Sequence, residues 1–355
     1  MWIQFALLVM PAMVIATSLL IWICRSKAVD RYKKLIAVTL FLTFDLIVFG
    51  AFTRLTDSGL GCPDWPGCYS QANPLLAHSA ITTAQELMPS GPVTMQKAWI
   101  EMIHRYLAMG VGILIVVQMI IAWWRRPTML HSTWLPTFLF FFVCLQGAFG
   151  AWTVTLKLQP VIVTIHLMLG MGLLSLLTWS LAREIYPRIE LKISSRNLIP
   201  IASFALIVLS VQIVLGGWVS TNYAALACAD YPLCNGVFAP EMDFEHGFTL
   251  WRQLGQKANG EYLPFSALVA IQWVHRSFAW IAIIAVLVAS FVARKTPALM
   301  SLANKILIVI FLQLLSGAAT VFFSWPLFIA VLHNAGAAAL VLLLTMLNYR
   351  ARHAA

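Results

Sequence analysis

The chain has 355 residues, of which 61% are hydrophobic and only 10% charged, with a formal net charge of +10. Soluble domains carry about 25% charged residues, so composition excludes an ordinary soluble globular protein. The basic excess does not call for a nucleic acid, because it is dispersed over the connections between apolar blocks.

Nine apolar blocks follow one another along the chain: 2–24, 35–53, 98–124, 132–152, 160–181, 198–219, 267–293, 302–323 and 327–348. Each reaches the roughly 20 residues that a helix needs to cross a bilayer. Lipid cannot satisfy open backbone groups and no alternating strands of about ten residues occur, so the expected fold is all-α and polytopic. The first block has no basic flank before it and no small-residue cleavage site, so it reads as an extra span rather than a signal peptide. Sixteen of the 23 Lys and Arg residues fall in alternate connections, at Arg25–Lys34, Arg125–Arg126, Arg183–Arg196, Arg294–Lys305 and Arg350–Arg352. By the positive-inside rule the C-terminus is cytoplasmic and, with nine spans, the N-terminus external. A bacterial cytoplasmic (inner) membrane is the expected home.

Just past the second block stands CPDWPGC (Cys62–Cys68), and just past the sixth stands CADYPLC (Cys228–Cys234). The two belong to a longer duplication. Val48-Phe-Gly50 answers to Val214-Leu-Gly216, Glu101-x-x-His104-Arg105 to Gln272-x-x-His275-Arg276, and Gln146-x-x-x-Gly150-Ala to Gln313-x-x-x-Gly317-Ala. Lastly, His166 answers to His333. Each half therefore holds four spans, and an even number gives both halves the same orientation. The expected organisation is residues 1–34 as an extra span with a basic loop, 35–190 as one four-helix bundle and 191–355 as a second.

Both cysteine pairs lie on the external side, where disulfides persist, and a Cys-x5-Cys loop closes without strain. Cys62–Cys68 and Cys228–Cys234 are the expected pairs; unlinked surface thiols are the alternative. Zinc fits poorly, since each loop offers two thiolates and no nearby histidine. Cys24 and Cys144, inside spans, are expected to be packing residues.

Ionisable side chains inside a membrane are costly, and four histidines share one depth. His104, His166, His275 and His333 each lie six to eight residues into a span from its external end. At about 1.5 Å per residue, all four sit roughly 10 Å below the outer surface. Two imidazoles facing each other across a four-helix bundle are an arrangement that ligates a haem iron axially. A single such histidine would read equally well as a hydrogen-bonded packing residue; His78, His131, His246 and His353 are given that plainer reading.

The halves differ beside these histidines. Glu101 shares a helix face with His104, whereas Gln272 stands at the matching position; Arg54 is matched by Ser220. A desolvated carboxylate near a porphyrin edge can accept a proton or steady positive charge. Arg105 and Arg276 are candidates to pair with haem propionates, with lipid headgroups as the alternative. Asp45, mid-span, is matched by Val211.

With TRLTDSGLGCPDW, E-x-x-H-R, Q-x-x-x-G-A and the repeated histidines in view, residues 35–350 resemble the haem A synthase family of cytochrome oxidase assembly proteins. The resemblance implies oxidation of a methyl group of haem O to the formyl group of haem A. It implies that the first half, with Glu101, His104 and His166, receives haem O. It also implies that the second half, with His275 and His333, holds a permanent haem b that passes electrons. The partners this implies are membrane lipid, a haem O synthase as supplier and an electron acceptor, with a homo-oligomer left open. The span 2–24 departs from the family's usual eight helices. A di-haem electron-transfer cytochrome without chemistry of its own is the competing reading, and Glu101 and Arg54, present beside one site only, speak against it.

Overall fold

The computed structural model describes residues 2–26, 30–126, 132–186 and 197–353. His131 and the basic residues Lys27, Arg188, Lys192 and Arg196 lie outside them. The described chain is helical: α1 Trp2–Arg25, α2 Arg31–Leu55, α3 His78–Leu87, α4 Met95–Trp124, α5 Trp134–Thr155, α6 Pro160–Ile185, α7 Leu198–Thr221, α8 Phe244–Gly247, α9 Phe265–Arg294, α10 Pro297–Phe322 and α11 Leu327–Arg352. All but the short α3 and α8 are long and apolar enough to cross a membrane, which gives nine candidate spans among the described residues.

The expected spans are all present, and several helices begin before the apolar block does. Hydropathy cannot see a polar first turn, but capping chemistry can set it. Asp30 accepts from the N–H groups of Tyr32 and Lys33 at 3.0 and 3.1 Å, and Thr94 Oγ1 from Lys97 N–H at 3.2 Å. Pro160 and Pro297 stand in the first turns of α6 and α10, where a missing N–H costs nothing. The helices α3 and α8 were not anticipated; both lie in the long connections after the cysteine motifs.

Two compact units divide the chain: residues 1–158 with Arg183–Ile185, and 159–182 with 186–355. In the first, α4 packs against α1, α2 and α5. Helices in lipid gain little from apolar burial and depend on close packing and interhelical hydrogen bonds. Gln118 Nε2 accordingly donates to Thr39 Oγ1 at 2.7 Å, joining α4 to α2 through two buried side chains, a contact of roughly 1 kcal/mol. Across the seam with α1, a Cβ at Gly110 would meet Ile15 Cγ2 at 3.6 Å, an ordinary contact.

In the second unit α7, α9, α10 and α11 form a closed ring, each touching two neighbours. Asn348 closes the α11–α7 seam: its Nδ2 donates to Ala202 O at 2.9 Å and its Oδ1 accepts from Ser203 at 2.8 Å. The repeat assigns α6 to the first half by sequence, whereas its packing groups it with the second unit. Thr164 on α6 meets Thr221 on α7 at 3.4 Å, and Thr345 on α11 donates to Ser175 on α6 at 3.3 Å.

The duplication extends to backbone detail. Left-handed residues recur at matched positions: Asp57 and Tyr223, Tyr69 and Asn235, Lys157 and Ser324, Leu158 and Trp325. The Trp65–Pro66 and Tyr231–Pro232 bonds are both cis, and Cys68–Gln71 and Cys234–Val237 make equivalent isolated bridges.

One cysteine expectation is corrected, and the alternative of surface thiols fails. Cys24 and Cys144 are exposed on the flanks of their helices and do not pack inward. The loop cysteines are not surface groups: Cys62, Cys68, Cys228 and Cys234 are all buried.

Candidate functional site

The cysteine loops owe their shape to one carboxylate and one guanidinium each. Cys62–Cys68 and Cys228–Cys234 are bonded, with Cα atoms 4.9 and 4.6 Å apart. The aspartate of each motif accepts from two N–H groups of the left-handed turn that follows. Asp64 takes Tyr69 and Ser70 at 2.7 and 2.5 Å, and Asp230 takes Asn235 and Gly236 at 2.5 and 3.0 Å. A short acidic side chain is what such a turn requires.

The arginine after each histidine then secures the loop to its helix. Arg105 Nη1 donates to the carbonyls of Asp64, Pro66 and Gly67 at 3.0, 3.2 and 2.5 Å. Arg276 donates to the carbonyls of Asp230, Leu233 and Cys228 at 2.6, 3.0 and 2.8 Å. Both arginines are candidates for haem propionates; in the structure Arg105 Nη1 and both Nη atoms of Arg276 serve the loop of their own half, while Arg105 Nη2 pairs with Glu101. Gly61 is a requirement of that docking, since a Cβ there would stand 2.5 Å from the Lys97 carbonyl carbon.

At Glu101 and Gln272 the halves diverge. Glu101 is 4% exposed and pairs through Oε1 with Arg105 Nη2, while its Oε2 accepts from Cys62 N–H at 2.9 Å. Gln272 has no charge to offer Arg276, and its Nε2 donates to Ala225 O at 3.0 Å instead. Arg54 pairs with Asp57 at 3.2 Å at the end of α2.

All four span histidines are half-buried. Three rings rest edge-on against a glycine of another helix. A Cβ at Gly50 would stand 3.0 Å from His104 Cε1, one at Gly216 2.9 Å from His275 Cε1, and one at Gly317 3.2 Å from His333 Cε1. In the first unit Phe49 also stacks on His104, with ring centres 6.2 Å apart. His275 and His333 lie within electrostatic reach of each other in the ring of α7, α9, α10 and α11. His166 is carried by α6. Of the plainer histidines, His246 pairs with Asp243 at 2.7 Å, and hydrogen bonds from His246 hold the Asp243 carboxyl below its usual range.

The second unit's residues fit a bis-imidazole haem. Among the described residues no three His, Cys, Asp or Glu side chains converge on a metal position, and a macrocycle with its own four nitrogens needs only two protein ligands. His275 and His333 supply two neutral donors, and the glycines beneath them let helix backbones approach the rings closely.

Sequence reasoning saw Gln313 only as part of the repeat and missed Gln212, Ser316 and Arg252. Gln212 and Gln313 place their carboxamides beside His275 and His333, and Ser316 reaches His333. Arg252 is 3% exposed; it lies over Trp218, hydrogen-bonds Asn222 and donates to Gln256 O at 3.3 Å, and burial lowers its pKa. The signal for Gln212 and Ser316 was available in the repeat, where they face Leu46 and Phe149. Arg252 sits in a connection without internal symmetry and gave no such signal.

Comparison with known proteins shows the family. Residues 33–345 match the family model described as "Cytochrome oxidase assembly protein" (COX15-CtaA). The chain is 39% identical over 318 residues to a protein of Shewanella oneidensis named "Heme A synthase", covering 89% of this chain and 95% of that one. A protein of the same name from Caulobacter vibrioides is 30% identical over 354 residues, covering 91% and 97%. One from Shouchella clausii is 28% identical over 255 residues, covering 69% and 77%. This chain is a multi-pass membrane protein and belongs to the cytochrome oxidase assembly protein family.

Proposed function

We propose that this chain is a haem A synthase, an oxidoreductase of the membrane that converts the methyl group of haem O to the formyl group of haem A. The conversion removes four electrons and four protons and adds one oxygen atom, supplied by water in the simplest balance. The observation that carries the reading is the asymmetry of an otherwise faithful repeat: one half retains a buried carboxylate beside its histidine and the other does not. An electron-transfer cytochrome has no need of that difference.

In this reading the first half receives the substrate haem O, with His104 as an iron ligand, and His275 and His333 hold a resident haem b. When bound, the resident haem supplies one-electron redox chemistry. Glu101 provides the negative charge at the substrate half, accepting a proton or steadying positive charge as the methyl group is oxidised. Arg54 is the cation available to the substrate's carboxylates, and Arg105 and Arg276 keep the two loops seated. The spread of basic residues supports an N-terminus outside and a C-terminus inside a bacterial cytoplasmic membrane. A haem O synthase would deliver the substrate and a membrane electron acceptor would take the electrons.

The test is to extract pigments from cells making haem O with and without this protein. Haem A should appear only with the protein. Haem O persisting unchanged beside abundant, folded protein would refute the reading.

A further inference from the structure

We propose that Ser316 and Gln212 are positioning residues for the haem of the second half, Ser316 holding His333 with Nδ1 protonated and Nε2 left as its donor to iron, and Gln212 tethering the helix backbone at His275. The proposal rests on the reading that this half contains a resident haem, and goes beyond it by naming what makes the site permanent.

The assignment at His333 follows from counting hydrogens. Ser316 Oγ lies 2.9 Å from His333 Nδ1 and 3.1 Å from Gln313 O. The single hydroxyl hydrogen can serve only one of them, and we assign it to Gln313 O, which can do nothing but accept. The hydroxyl oxygen then accepts from His333 Nδ1. A neutral imidazole protonated at Nδ1 keeps its lone pair on Nε2, the pair that a metal takes. Gln313 Nε2 donates to His333 O at 2.9 Å, and at 3.5 Å from His333 Nε2 it is too far to claim that lone pair. Its Oε1 occupies the space that a Cβ at Gly336 would fill, at 2.2 Å, so that glycine is part of the same device.

At His275 the partner is a carboxamide. Gln212 Nε2 stands 3.1 Å from His275 Nδ1 and 3.1 Å from His275 O, and Gln212 Oε1 is a buried acceptor with no partner. Gln212 Nε2 therefore tethers α9 through the His275 carbonyl, as Gln313 Nε2 tethers α11 through that of His333. In the first half the matching positions are Leu46 and Phe149, whose side chains can do neither. A substrate that must leave after reaction is served by different support from a cofactor that must stay.

The test uses the full chain purified in detergent, with three readouts: haem content as the pyridine complex, midpoint potential by redox titration, and haem loss to apomyoglobin. Ser316→Ala should raise the midpoint potential and speed haem loss roughly 10-fold or more, the usual scale for removing the partner of a metal-bound histidine, and Gln212→Leu should speed haem loss. Ser316→Thr, which keeps the hydroxyl, should stay near the parent value. Unchanged potential and loss rate in both Ser316→Ala and Gln212→Leu would overturn the proposal, as would a Ser316→Thr shift equal to that of Ser316→Ala. Full haem retention in His275→Ala and His333→Ala would instead remove the resident-haem reading beneath it, so the two failures are distinguishable.

Discussion

The two halves solve one mechanical problem, fastening a disulfide loop over the end of a histidine-bearing helix, with different electrostatics. In the second half Arg276 spends its Nη donors on three loop carbonyls, and Gln272 donates to a fourth at Ala225. In the first half Arg105 gives one Nη to the loop and the other to Glu101, which itself accepts from Cys62 N–H. A guanidinium on carbonyls alone therefore holds the second loop, while the first has an ion pair built into its clasp. Breaking a buried pair costs about 3–5 kcal/mol, so a protein does not retain one where an amide would serve unless the charge has a use. The halves thus differ in a carboxylate that has structural duties, to which the proposed function adds a chemical one.

The largest expected effect falls on the ligands. His275→Ala or His333→Ala should abolish the resident haem and with it haem A formation, whereas His246→Ala, outside the spans, should leave both intact. Optical spectra of the purified variants decide this; a normal low-spin spectrum in both ligand variants would contradict the assignment.

Next in size is Glu101→Gln, which gives the first half the residue of the second. Haem A formation should fall by roughly 10²–10⁴-fold, the contribution of a positioned acid–base group. Because Glu101 also anchors the Cys62 N–H, the measurement needs a companion: thiol labelling of Cys62 and Cys68 under mild reduction. Lost activity with an intact loop supports the chemical role. Lost activity with a freely reducible loop means that the carboxylate acts only as a fastener.

How much of this was legible in sequence varies with the kind of force involved. All nine spans could be read, because crossing a bilayer imposes a length and composition that no tertiary contact overrides. The histidines and Glu101 could be read because a charged or ligating group in an apolar run is conspicuous. The role of Arg105 and Arg276 could not: three carbonyls meet one guanidinium only after the loop has folded, and a carbonyl leaves no mark in sequence. Burial of the disulfides escaped notice for the same reason, since the aspartate clamp that turns each loop inward acts on backbone N–H groups. Ser316 is an intermediate case, visible only when the repeat is used to ask where a polar residue replaces an apolar one.

A smaller effect tests the glycine beneath the imidazole. A Cβ at Gly216 would stand 2.9 Å from His275 Cε1, whereas one at Gly147 meets nothing within 4 Å. Gly216→Ala should therefore displace the ring and weaken haem retention several-fold, while Gly147→Ala, also mid-helix, should be silent. Equal retention in the two would mean that the seam between α7 and α9 absorbs a methyl group freely.

The smallest effect concerns α1, the span without a counterpart in the repeat. In the second loop Asn235 staples the chain from within, its Oδ1 accepting from Ala229 N–H at 3.1 Å and its Nδ2 donating to Ala227 O at 3.0 Å. The first loop has Tyr69 at that position, which cannot bridge the same two groups. Its substitute arrives from α1: Gln4 Oε1 accepts from Ala72 N–H at 3.0 Å and Gln4 Nε2 donates to Gln71 Oε1 at 2.9 Å. One carboxamide thus does from a neighbouring helix what the other does from inside the loop. Gln4→Ala should cost about 1–3 kcal/mol by leaving the Ala72 N–H unsatisfied in a buried setting. The loss should be local, with Cys62–Cys68 becoming reducible at lower reductant concentration while Cys228–Cys234 is unaffected. Asn235→Ala should do the reverse. Mass spectrometry of alkylated loop peptides over a reductant series reads both at once, and identical protection of the first loop with and without Gln4 would show that α1 packs on this unit without securing its loop.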